Sequence, residues 1–174
     1  MKCLTDIIAA AEMIKKRDPA AHSLLEIFMT YSGFHALAYY RAAHWFYQHK
    51  FYLLAALISH SGKMTTGIEI HPGAKIGKFL FIDHGNGVVI GQTAVIGDNV
   101  TIMHNVTLGS RKQMNDRRHP IVGNNVFIGA GAQLLGPITI GAKAKIGAGT
   151  IVLIDVPEGA TIVGNPGHLV TRKK

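Results

Sequence analysis

The chain has 174 residues, 48% hydrophobic and 16% charged, a balance that fits one well-buried unit with a modest appendage and excludes a disordered chain. Its single cysteine, Cys3, excludes an internal disulfide or a multi-cysteine zinc site, and the longest apolar run, residues 51–59, is too short to span a membrane. The formal net charge of +8 suits an anionic ligand, but no interleaving of aromatic and basic residues supports nucleic acid as a partner. With no secretion leader in view, a reducing cytoplasm is the expected compartment.

Residues 5–17 are expected to form a helix, with Thr5 as N-cap and Ile7, Ile8, Ala11 and Ile14 on one face. Pro19 restricts Asp18 and ends it. A second helix is expected over 20–31, stopping at Gly33, whose tolerance of positive φ suits a C-terminal cap. A third over 34–49 and a fourth over 51–61 complete a helical appendage rich in aromatic residues, expected to pack against one another and against a neighbouring subunit. His35 and His44 read as packing or capping residues. Asp18 admits two readings: an N-cap of the second helix, or a carboxylate held rigidly for a ligand.

From residue 70 to 152 an aliphatic residue returns at every sixth position, often followed by glycine, with two interruptions. The first run is Ile70, Ile76 and Ile82; the second is Ile90, Ile96, Ile102 and Leu108; the third runs from Val122 through Ile128, Leu134, Ile140 and Ile146 to Val152. A period of six fits neither a helix nor an isolated alternating strand and is the mark of a parallel β-helix. Three hexapeptides make one triangular coil, so Ile70, Ile90 and Leu108 should share one column, Ile76, Ile96 and Val122 a second, and Ile82, Ile102, Ile128 and Ile146 a third. The fold class is therefore α+β, divided into a helical region (1–66), a β-helix (67–164) with excursions at 83–89 and 109–121, and a short tail (165–174).

Insertions in a solenoid emerge on its flank and are often functional. The first excursion carries Asp83 and His84 towards the column that Glu69 precedes, so Glu69 and His84 are expected within hydrogen-bond reach. A carboxylate beside an imidazole suits a general base, and equally an ordinary salt bridge. Counting two positions past the third column puts His84, His104, Ala130 and Ala148 in one vertical row, a groove for a thin arm, with the backbone amides of Gly109 and Ser110 as candidate donors. His71, His104 and His119 raise a metal alternative, but they lack the H-x4-H pair used by the trimeric hexapeptide-repeat carbonic anhydrases, and no metal is expected.

One family joins these features. Arg17-Asp18-Pro19-Ala20, the run Gly33-Phe34-His35-Ala36-Leu37 through Tyr40-Arg41 to His44-Trp45, Ile70-His71-Pro72, Asp83-His84, Val106-Thr107-Leu108-Gly109, Arg118-His119-Pro120, Lys145-Ile146-Gly147-Ala148-Gly149 and Val163-Gly164-Asn165-Pro166 together resemble the serine O-acetyltransferases. The resemblance implies a left-handed β-helix and transfer of acetyl from acetyl-CoA to L-serine, the first step of cysteine synthesis. It implies His84 as the base, Glu69 as its carboxylate partner, Asp18 and Asp83 for the amino-acid ammonium, and Arg118 and His119 for its carboxylate. Gly109, Ala130, Lys145 and Ala148 match positions lining the coenzyme groove, beside Ser110. Also implied are a homotrimer with active sites between subunits, direct transfer without an acyl-enzyme, and feedback inhibition by L-cysteine.

Three departures accompany it. Gln92 stands where glutamate is usual, His104 where glutamine is common, and Ser110 opens a basic loop where glycines are usual. A different hydroxylated acceptor (homoserine, a sugar or a xenobiotic) and a catalytically silent trimeric scaffold or sensor are the alternatives. The last residues, Thr171-Arg172-Lys173-Lys174, lack the isoleucine with which long members dock into cysteine synthase, so no stable tail-mediated complex is expected.

Overall fold

The computed structural model describes residues 2–112 and 116–170. Four helices come first: α1 (Lys2–Arg17), α2 (Leu24–Thr30), α3 (Ser32–Gln48) and α4 (Tyr52–Thr66). Helix α1 begins ahead of Thr5, which is therefore not its cap. Helix α2 starts later than expected because Ser23 caps it: the Ser23 hydroxyl accepts the Glu26 N–H at 3.1 Å, while the Glu26 carboxylate accepts the His22 N–H at 2.9 Å. This reciprocal Ser-x-x-Glu device was legible at 23–26, and it removes Asp18 from any N-capping role. Gly33 is no C-cap but the second residue of α3. A Cβ there would collide with the carbonyl oxygen of Ile82, so glycine is what lets α3 lie against the coil. Helix α4 continues past residue 61 to Gly67, which caps it at φ 70°.

The rest is a three-sided parallel coil whose strands, numbered in chain order, are mostly two residues long. The first face stacks β1 (Glu69–Ile70), β4 (Val89–Ile90), β7 (Thr107–Gly109), β10 (Gln133–Leu135) and β13 (Ile151–Val152). The second stacks β2 (Lys75–Ile76), β5 (Val95–Ile96), β8 (Ile121–Val122) and β11 (Thr139–Ile140). The third stacks β3 (Phe81–Ile82), β6 (Thr101–Ile102), β9 (Phe127–Ile128), β12 (Lys145–Ile146) and β14 (Thr161–Gly164). Strand β15 (Gly167–Val170) then folds back antiparallel on β14, giving structure to residues read from the sequence only as tail.

All three expected columns are present in register: Ile70 pairs with Ile90 and Ile90 with Leu108; Ile76 with Ile96 and Ile96 with Val122; Ile82 with Ile102, Ile102 with Ile128 and Ile128 with Ile146. A second inward set, two positions before each aliphatic, went unread. It contains Ala74, Ala94, Val100, Val106, Val126, Ala132 and Ala144, all buried where the coil turns its corners. The repeated glycines answer a close approach between coils: a Cβ on Gly129 would sit 2.7 Å from the amide nitrogen of Ala148 on the coil above.

The helices are fastened to this coil by polar contacts as well as packing. Tyr40 donates its hydroxyl to the Ala74 carbonyl at 2.7 Å, and His44 donates Nδ1–H to the Pro72 carbonyl at 2.6 Å. His35 likewise donates Nε2–H to the Phe28 carbonyl at 2.7 Å, so both histidines are satisfied structural residues. Arg17 at the end of α1 reaches the coil through Thr101 (3.3 Å) and Asn99 (3.2 Å). A second small core of Ala11, Ile14, Ala21 and Ile27 gathers on Phe81. Phe28 and Phe34 meet edge-to-face at 5.0 Å, whereas Trp45, Phe51 and Tyr52 are more than half exposed. No helix among the described residues is long and apolar enough to cross a membrane.

Candidate active site

Two polar groups lie on two different edges of the triangular coil. The first stands where the third face turns into the first. Asp83 directly follows β3 and continues its ladder, donating its N–H to the Ile102 carbonyl at 2.8 Å. His84 comes next at φ 56°, in the left-handed region that non-glycine residues rarely adopt. The excursion is tied down by Gly87 N–H to the Gly67 carbonyl (2.9 Å) and by Asn105 N–H to the Asn86 carbonyl (2.8 Å). The His84 ring is thereby turned outward, 75% exposed, with Nε2 3.9 Å from Asp83 Oδ1.

Asp18 faces this pair from the turn after α1. Its Oδ1 accepts the Ala20 N–H at 2.8 Å and its Oδ2 accepts the Tyr31 hydroxyl at 2.6 Å. These two donors, Tyr31 first, hold the Asp18 carboxyl below the usual carboxylate range, with a smaller contribution from nearby His84. Burial and the bond to Asp18 push the Tyr31 phenol up to about 12. Asp18, Tyr31, Asp83 and His84 line a cleft of about 320 Å³ that can receive a cation beside an imidazole. A larger cavity of about 490 Å³ beneath α1 and α3 is apolar apart from Arg41 and contains none of these groups.

His104 lies one coil above His84, the rings edge-to-face at 6.3 Å, and its Nδ1 is buried without a hydrogen-bond partner among the described residues. Ala130 and Ala148 continue the same row, as the bonds Gly131 N–H to the His104 carbonyl (2.9 Å) and Gly149 N–H to the Ala130 carbonyl (2.8 Å) require. The counted row therefore exists. Lys145 lies on the third face beside it, exposed.

The second group stands where the first face turns into the second. His71 follows β1, Gln92 and Thr93 follow β4, and Arg118 and His119 close the long excursion before β8. Gly109 and Ser110, at the end of β7, lie on this side and not beside Ala130. The Gln92 carbonyl oxygen accepts Arg118 Nη2–H at 2.6 Å, and the Gln92 amide donates to the Tyr47 hydroxyl at 3.1 Å. Thr93 Oγ1 accepts the N–H groups of Arg118 (3.1 Å) and His119 (3.2 Å). His119 is buried, and its imidazole is held below the ordinary range by burial first, then by Arg118 and His71. His71 is lowered by burial and Arg118, and Glu69 opposes that shift. The result is a cation flanked by two neutral imidazoles, suited to a carboxylate.

Glu69 and His84 do not meet within the chain. Glu69 instead pairs with Lys63, from the last turn of α4, at 2.6 Å. The sequence count placed both residues near one column but carried no information on where α4 would end. The histidines considered for metal are likewise divided, His104 on one edge and His71 with His119 on the other. No group of three His, Cys, Asp or Glu side chains among the described residues could hold a metal ion. Tyr31, Thr93 and Arg17 were not anticipated as site or supporting residues; Arg17, beside Asp18 and Pro19, and Thr93, beside Gln92, stood next to positions already singled out.

Residues 119–153 match the family model described as bacterial transferase hexapeptide (six repeats). A serine acetyltransferase of Helicobacter pylori is 48% identical over 171 residues, covering 98% of this chain and 100% of its own length. One of Synechococcus elongatus is 49% identical over 166 residues, 95% of this chain and 68% of its own. The chain belongs to the serine acetyltransferase family. Solved family members superpose closely: a soybean enzyme complexed with serine has a TM-score of 0.92 at 44% identity, covering 95% of this chain and 68% of that one. A serine acetyltransferase in complex with cysteine has a TM-score of 0.93 at 38% identity, covering 96% and 69%. Coverage of 95–98% of this chain by these relatives takes in the helical appendage as well as the coil.

Proposed function

We propose that this chain transfers the acetyl group of acetyl-CoA to the hydroxyl of L-serine, giving O-acetyl-L-serine and coenzyme A for cysteine synthesis. The observation that carries this reading is the division of charge: two carboxylates and an outward imidazole on one edge, a guanidinium and two imidazoles on another. Neither half alone recognises a small zwitterion. Around a three-fold axis the first edge of one subunit faces the second edge of the next, which makes the homotrimer the complete unit and the left-handed coil its frame. Domains follow the same division: helices over 1–66, β-helix over 67–164, tail beyond.

In this arrangement Asp18 and Asp83 hold the serine ammonium while Arg118 and His119 hold its carboxylate, leaving the hydroxyl at His84. The imidazole takes the hydroxyl proton as the oxygen attacks the thioester carbonyl. The tetrahedral adduct then expels the coenzyme thiolate, which recovers the proton from the imidazolium. No acyl-enzyme forms and no metal takes part. Glu69, on the side of His71, reaches His84 from a neighbouring subunit and steadies its imidazolium. The donor arm runs along Ala130 and Ala148, between Lys145 of one subunit and Gly109 and Ser110 of another. L-cysteine, a serine isostere, competes for the same zwitterion site as a feedback inhibitor. A chain with one cysteine is at home in the reducing cytoplasm.

The test is coenzyme A release from acetyl-CoA with L-serine, homoserine, a galactoside or no acceptor. Serine-dependent release is expected, falling on the order of 10²–10⁴-fold in His84→Ala trimers. Release only with another acceptor would reassign the pocket, and none at all from intact trimers would leave a scaffold.

A further inference from the structure

Thr93 sits at the turn between β4 and β5, outside the cleft, yet its hydroxyl and its backbone N–H are both directed at Arg118 and His119. Its hydroxyl oxygen accepts two backbone N–H groups, from Arg118 at 3.1 Å and His119 at 3.2 Å. A hydroxyl has one proton to give, and the remaining hydrogen-bond partner among the described residues is His119 Nδ1 at 2.8 Å. The Thr93 backbone N–H points to the same Nδ1 at 3.2 Å. Two donors converging on Nδ1 require its lone pair, so the neutral ring carries its proton on Nε2. Beside it, Gln92 takes Arg118 Nη2–H on its carbonyl oxygen at 2.6 Å and is itself held by Tyr47. Being an amide, it aims the guanidinium without cancelling its charge.

We infer that Thr93 is a positioning residue for the acceptor's carboxylate: by occupying Nδ1 it holds His119 as an Nε2–H donor beside Arg118. The inference rests on Arg118 and His119 being the carboxylate half of the site. Deleting the hydroxyl while keeping its shape frees the ring to turn or to take the other tautomer, and orphans two backbone donors. The effect falls on binding of the amino acid and leaves the donor thioester's groove untouched.

Steady-state kinetics of the full-length trimer test this. In Thr93→Val the KM for L-serine rises about tenfold or more, while the KM for acetyl-CoA stays within about twofold. Thr93→Ser, which returns the hydroxyl, recovers most of the loss. An unchanged serine KM in Thr93→Val, alongside a raised one in Arg118→Ala, overturns the role of Thr93 alone. An unchanged serine KM in Arg118→Ala overturns the carboxylate assignment and this inference with it. Should Thr93→Val fail to assemble, NMR of the ring nitrogens in histidine-labelled wild type decides: His119 protonated on Nε2 supports the assignment, and protonation on Nδ1 refutes it.

Discussion

Asp18 keeps its charge because two donors are aimed at it, one from its own turn and one from Tyr31 just ahead of α3. A carboxyl held low in this way is ionised and bonded above the ordinary carboxylate range; that stabilisation disappears as pH falls through the depressed value. Removing the Tyr31 hydroxyl returns Asp18 towards its ordinary value. In Tyr31→Phe the acid limb of kcat/KM for serine therefore shifts to higher pH, with the plateau less affected than the limb. A pH profile whose acid limb does not move would detach Tyr31 from Asp18. Asp18 itself was legible as special, because a carboxylate locked before proline is a rigid presentation. Its partner was not: nothing in the string places a tyrosine thirteen residues on against it until α2 and the turn are built.

At the scale of the element, the hexapeptide count carried far because a solenoid converts sequence distance into vertical position without loss. The three aliphatic columns and the row from His84 to Ala148 both followed from counting, and both are in place. The second buried set escaped because it mixes alanine with valine, isoleucine and leucine and so has no uniform size to catch the eye. Thr150 occupies one of its positions, fully buried, with a hydroxyl that has no hydrogen-bond partner among the described residues. Thr150→Val replaces that hydroxyl with the methyl its neighbours have, and should stabilise each subunit by about 1 kcal/mol. Thermal unfolding measures it; an unchanged or lower Tm would mean that a partner for the hydroxyl exists in the assembled protein. The helices were read less well, since capping at Ser23 and close approach at Gly33 depend on which neighbour arrives.

For the whole molecule, the proposed sharing of the site between subunits predicts that activity is a property of neighbours. Co-expressed His84→Ala and Arg118→Ala subunits, each strongly impaired alone, should regain roughly a quarter of wild-type activity across the whole randomly assembled population, since a working interface needs the intact half of each and random assembly supplies that at about one interface in four. Complete silence in proven mixed trimers would place both halves within one subunit. The partner of Glu69 belongs to this scale too, for Lys63 answers it inside the chain and the proposed contact with His84 is one between subunits. The row of corners has one more consequence. From His84 through His104 and Ala130 to Ala148 are three coil steps, a span of ~14 Å at one strand spacing each. On the proposed reading, with the donor arm along this row, the coil is a ruler, and its graduations are interchangeable: one extra turn spliced in above Ala148 would lengthen the gauge for a longer donor while leaving the reacting end where it stands.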